Sequence, residues 1–128
     1  MAEQPAEQDA VSYRAAGDLS DLRAFVARRA AALGLPAERA ELLILAVSEL
    51  ATNTLQHTAN GGHVRLWADA GQLFCDVVDR GPLRAFGRPM PAADAIRGRG
   101  LAIVERICDE VAVLAVTQGT LVRIRLQL

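Results

Sequence analysis

Three groups of residues in this chain have types and spacings that could do chemistry. The first is Glu49, Asn53 and His57, which recur at every fourth position of the run from Ala40 to His57. That run contains neither proline nor glycine and predicts one helix. The three polar side chains therefore form one stripe, continuing the face of Leu42, Leu45 and Ala46. The first half of the run, Leu42 to Val47, is apolar nearly all round and predicts a buried helix. Burying an unpaired carboxylate costs several kcal/mol or forces its protonation, so the stripe is expected to line a cavity. The alternative is that Glu49 and Asn53 bond neighbouring backbone while His57 lies exposed near the helix end.

The second group, Asp79-Arg-Gly81-Pro82, directly follows an apolar segment. A carboxylate at a strand end can accept a hydrogen bond from a ligand amino group, and Gly81 lets a flat ring approach the backbone. An ordinary Asp-x-Gly turn would carry the same residues. The third group is Gly98-Arg99-Gly100-Leu101, ahead of an apolar-periodic run. Glycines before a helix expose backbone N–H groups to an anion, and the helix dipole favours phosphate there. A flexible connector is the other reading. The dinucleotide-binding fingerprint does not apply, because no strand leads directly into this segment and its third glycine is missing.

The elements that must position these groups follow from periodicity. Residues 1–9 are polar and read as a disordered tail. Val11 to Ala15 can form a short strand, and Asp18 or Ser20 can cap a helix that runs to Leu33 and stops at Gly34. Its apolar stripe is Leu22, Phe25, Val26 and Leu33, with Arg29 among them. Pro36 suits the first turn of the second helix, which Asn60-Gly61-Gly62 ends. Val64, Leu66 and Ala68 alternate with polar residues, Asp69-Ala-Gly71 turns the chain, and Leu73 to Val78 returns as a hairpin. From Asp79 to Gly98 no pattern holds, which in so small a domain points to a functional loop. Leu101 to Asp109 reads as a helix. Val111 to Val116 and Thr120 to Leu126 form a second hairpin, with Thr120, Val122, Ile124 and Leu126 facing one way and Arg123 and Arg125 the other. The layout is α+β, a mostly antiparallel sheet with helices on one face.

Composition bounds the function. At 128 residues, 52% hydrophobic, the chain is one domain able to bury a core. A net charge of −1 gives no electrostatic case for direct nucleic-acid contact or an anionic membrane. All 14 basic residues are arginine, which excludes a Walker-type phosphate loop, since that loop requires its lysine. Cys75 and Cys108 are expected to be buried free thiols. With no membrane-length apolar run and no signal peptide, a cytoplasmic location is expected. Two histidines, one of them in the polar stripe, give little support to a Ser/His/Asp triad, and His57, His63, Cys75 and Cys108 lack zinc-ligand spacing.

In their order and spacing the three groups together resemble the GHKL superfamily of ATPases and kinases, in particular the small stand-alone anti-sigma factor serine/threonine kinases of actinobacteria. Glu49-x-x-x-Asn53 is similar to the superfamily's N box, Asp79-x-Gly81 to its first glycine box and Gly98-x-Gly100-Leu101 to its second. The resemblance runs from about Leu19 to the C-terminus. It implies the Bergerat ATP-binding fold, a two-layer α/β sandwich, over residues 10–128, with ATP and Mg²⁺ as ligands. Residue by residue, it implies that Asn53 coordinates Mg²⁺ and that Glu49 is the general base toward a serine hydroxyl or water. Asp79 would bind the adenine amino group beside Gly81, and Thr120 would back the adenine through Asp79 or a water. Gly98, Arg99, Gly100 and Leu101 would offer amides to the phosphates, with His57 close to them. Arg84, Arg88, Arg97 and Arg99 are the cations of a short lid; one or more would serve the γ-phosphate, and solvated loop charge is their other role. Phosphoryl transfer needs such positioning, charge neutralisation and a base within reach.

One departure is Leu83, at a position where the first glycine box often has a second glycine. It bears on nucleotide affinity and turnover more than on fold. The resemblance further implies an anti-sigma factor that sequesters a sigma factor and phosphorylates an anti-anti-sigma partner of the STAS class. Val11 to Arg29 would be the region that grips the sigma factor or forms a homodimer. Two other readings stand beside this one: a catalytically weak or nucleotide-free partner-binding switch, and a detached ATPase domain serving a separate phosphoacceptor domain.

Overall fold

A two-residue turn sets the register of the central hairpin. β2 (Gly62–Asp69) and β3 (Gln72–Asp79) pair antiparallel on either side of Ala70 and Gly71. Both turn residues have positive φ, 53° and 79°, as in the turn whose twist matches that of the strands. Gly71 adopts this freely, whereas the Cβ of Ala70 makes the left-handed conformation cost about 1 kcal/mol. Ala70→Asn is therefore expected to stabilise the fold by about 0.5–1 kcal/mol, read as a higher urea midpoint at unchanged slope.

The computed structural model describes residues 9–57, 60–79, 109–116 and 119–128. Among these, the sheet order is β1-β2-β3-β5-β4, every neighbouring pair antiparallel, with β1 at Ala10–Tyr13, β4 at Glu110–Val116 and β5 at Gly119–Gln127. The short strand expected near Val11 is thus the sheet's first edge. The loop expected after Asp79, the helix expected from Leu101, and Cys108 lie outside the described residues, as do residues 1–8 of the expected tail. Asp9, assigned to that tail, is instead held: its carboxylate is 2.6 Å from the Arg29 guanidinium.

Helix α1 (Leu19–Leu33) follows a 3-10 turn at Ala16–Asp18. Asp18 sits at the N-cap, yet its carboxylate makes no capping bond. It turns back to accept the amides of Arg14 and Ala15 at 2.8 and 3.1 Å. Those two bonds hold its carboxyl below the usual range. Gly34 closes α1 in the left-handed region. Helix α2 (Ala37–His57) starts just after Pro36, whose carbonyl accepts the Ala40 amide at 2.9 Å.

The helices cover one face of the sheet. Leu22, Val26, Leu43, Val47 and Leu50 meet Val64, Leu66, Leu73, Cys75, Ile124 and Leu126, all buried. Burial of each large aliphatic side chain contributes roughly 1.5–3 kcal/mol. Cys75 is a free thiol, and burial pushes its pKa far up, so it is inert packing. The expectation that α2 is buried all round is corrected. Its buried side is Leu43, Ala46, Val47, Leu50 and Ala51, while Leu42 and Leu45 are 40% and 46% exposed. The sheet lies under one side of the helix only.

The other face of the sheet is polar and locked across strands. Arg65, Asp76 and Arg123 stand in one row over β2, β3 and β5. Asp76 is fully buried between the two arginines and accepts both Arg123 nitrogens at 2.8 Å and Arg65 at 3.4 Å. Both guanidiniums also lie over Trp67, at 5.6 and 5.5 Å from its ring centre, and Trp67 stacks on Phe74. The hydrogen bonds to Asp76 raise the pKa of Arg123. No helix among the described residues is long and apolar enough to cross a membrane.

Candidate active site

Parity along β3 decides which of its two aspartates can serve the helix side. Leu73, Cys75 and Val77 point into the core, so Asp79 continues that face. Asp76 points to the opposite face and is committed to its arginines. Asp79 is half-buried at the last position of β3. It stands directly opposite Gly62 of β2 on one side and Thr120 of β5 on the other. Directly opposed side chains lie about 4.5–5.5 Å apart at Cβ, so Asp79 and Thr120 are neighbours on one face at the sheet's end.

Helix α2 carries the polar stripe over its last turns. It stops at His57, and the chain enters β2 at Gly62, beside Asp79. Those five steps span roughly 17 Å at most. Asn53 is one helical turn before His57 and Glu49 one turn before Asn53, at about 5.4 Å per turn. Both are half-buried. At 100° per residue they fall on the flank that carries Leu42 and Leu45, beside the core-facing side. The opposite flank faces α1, where Arg23 donates to the Ser48 hydroxyl at 3.3 Å. Elsewhere on α2 the Thr52 and Thr54 hydroxyls donate to the carbonyls of Ser48 and Leu50.

Among the described residues, Asp79 and Thr120 stand opposite each other at the end of β3, and Glu49 and Asn53 lie in the last turns of α2, which ends at His57. The His57 side chain, Gly81, Arg97, Gly98, Arg99, Gly100 and Leu101 lie outside what is described. Two residues that periodicity did not single out also belong to this end. Gly62 was read only as part of a helix stop, and a Cβ there would collide with the Val78 carbonyl oxygen and come within 2.8 Å of the Tyr13 hydroxyl. Tyr13, 1% exposed, pairs with Gly62 from β1. A lone tyrosine in a short strand was the available signal.

Comparison with known proteins points the same way. Residues 12–126 match the family model of the histidine kinase-like ATPase domain. No curated protein sequence matches the chain significantly. Among solved structures, the histidine kinase domain of the Erythrobacter litoralis EL346 blue-light activated histidine kinase is similar. It shares 26% identity at a TM-score of 0.51, over 84% of this chain and 61% of that one. A longer structure of the same kinase gives 26% identity and a TM-score of 0.52, over 84% of this chain and 42% of its own. The chain thus spans less than two thirds of either relative. With a family match over nearly its whole length and a five-stranded antiparallel sheet covered on one face by helices, the chain belongs to the histidine kinase-like ATPase family of the GHKL superfamily.

Proposed function

We propose that this protein is an ATP-dependent serine/threonine kinase and anti-sigma factor, which sequesters a sigma factor and phosphorylates an anti-anti-sigma partner of the STAS class. Family membership implies ATP binding and kinase-type chemistry. The finer reading is supported by the resemblance to the stand-alone anti-sigma kinases. The observation that supports it is Asp79 directly opposite Thr120 at the end of β3, with α2 ending five residues before the strand that pairs with β3.

These residues fit a purine nucleotide. Asp79 offers an acceptor to an exocyclic amine, with Thr120 beside it as donor or acceptor. Asn53 offers a neutral oxygen, a ligand type suited to Mg²⁺. Magnesium would supply neutralisation of phosphate charge. Glu49, one turn from Asn53 on the same flank, holds a carboxylate where the proton of an attacking hydroxyl can be taken. Asn53→Ala is expected to remove Mg²⁺-dependent ATP binding, weakening it at least about 100-fold, as read by calorimetry. Normal Mg·ATP binding by that variant would remove the site assignment.

The experiment for the finer reading is phosphotransfer from γ-labelled ATP to candidate STAS-domain proteins. An acid-stable phosphoserine or phosphothreonine is expected. The similarity to a histidine kinase domain favours one other reading, a detached ATPase domain serving a separate phosphoacceptor. An acid-labile phosphohistidine on a companion domain would select it.

A further inference from the structure

On the helix side, one row of residues crosses four strands: Tyr13 of β1, Gly62 of β2, Asp79 of β3 and Thr120 of β5, each directly opposite the next. Gly62 has no side chain, so no side chain of this row stands between Tyr13 and Asp79, which are two strand spacings or about 9–10 Å apart at Cα. The Tyr13 ring uses that opening. Its hydroxyl lies 2.8 Å from the point a Gly62 Cβ would occupy, and the Val78 carbonyl borders the same point. The phenol tip therefore lies over Gly62, on the side of the strand that faces the end of β3. A ring buried only for its apolar area could end in C–H, as the chain's three phenylalanines do. A buried hydroxyl is costly away from polar groups, and this one is carried to the polar end of the sheet.

We propose that Tyr13 is a positioning residue for base recognition, its hydroxyl donating to the Asp79 carboxylate through one water. This rests on the reading of Asp79 as acceptor for a purine amino group. A carboxylate at a strand end can rotate, and a ligand amine engages only one of its oxygens. A charge-assisted O–H···O⁻ bond to the other oxygen fixes the rotamer, so the acceptor is aimed before the nucleotide arrives. Gly62 is the partner in this device, because any side chain there would displace the phenol.

The test compares affinities for ATP and for purine riboside triphosphate, which lacks the amino group, in the wild type and in Tyr13→Phe. A hydrogen bond to a charged acceptor predicts a wild-type preference for ATP of about 10–100-fold. Tyr13→Phe is expected to cut that preference to about threefold or less, with affinity for the deamino analogue unchanged. In an Asp79→Asn background, Tyr13→Phe is expected to change the preference no further. Each preference is a ratio of two ligands on one preparation, so lowered stability of a variant cancels. Tyr13→Phe with the full preference would overturn the proposal and leave the kinase reading standing. A wild type that binds both nucleotides equally would remove Asp79 as base reader, and the proposal with it.

Discussion

Glu49→Gln is expected to bind ATP as the wild type does and to transfer phosphate about 10²–10⁴-fold more slowly, the contribution of a positioned general base. The substitution keeps the shape of the side chain and one oxygen while removing the basic carboxylate. Glu49 sits one turn from Asn53 on the flank of α2 beside the core-facing side, and it is half-buried. Binding and turnover should therefore separate: affinity follows Asn53, Asp79 and Thr120, and rate follows Glu49. Calorimetry and single-turnover phosphotransfer measured on one preparation read the two quantities apart. Full turnover by the Glu49→Gln variant would assign the base elsewhere and make Glu49 a structural member of the stripe.

The largest expected effect on stability comes from one methyl group. Gly62→Ala should destabilise the protein by about 2–4 kcal/mol, a fall in urea midpoint easily resolved. The added Cβ meets the Val78 carbonyl oxygen, which is backbone, and the Tyr13 hydroxyl at 2.8 Å. Neither can yield cheaply, because Gly62 is held between Tyr13 on one side and Asp79 on the other. The sign is informative, since glycine-to-alanine changes in unstrained positions stabilise by about 0.4–1 kcal/mol. Gly17→Ala is the matched control: a Cβ there meets nothing within 4 Å, so it should be neutral or stabilising. Equal effects at the two positions would contradict the packing described at the end of β2.

Local pattern was enough to put Asp79 and Thr120 on the core-facing side of the sheet, because strand alternation fixes the face of each residue; Asp79 ends one apolar series and Thr120 begins another. It was enough also for the hairpin turn and for the one-turn spacing of Glu49 and Asn53 on α2. The Arg65–Asp76–Arg123 row was not legible. Its members are 11 and 47 residues apart, and only the pairing register brings them together, which no local period encodes. Tyr13 escaped for the same reason: its meaning depends on standing opposite a glycine two strands from Asp79. Leu42 and Leu45 misled in the other direction. Apolar type predicted burial, whereas the sheet covers one side of α2 and leaves these two on the flank of Glu49 and Asn53.

The end of the sheet at Asp79 is expected to be a magnesium-dependent nucleotide site. Titration of the purified protein with a non-hydrolysable ATP analogue, with and without Mg²⁺, tests it most directly. Saturable binding that requires Mg²⁺ and is lost in Asn53→Ala is the predicted result. No binding at millimolar analogue would contradict it, leaving a protein that keeps the fold, has lost the nucleotide, and acts through a partner surface.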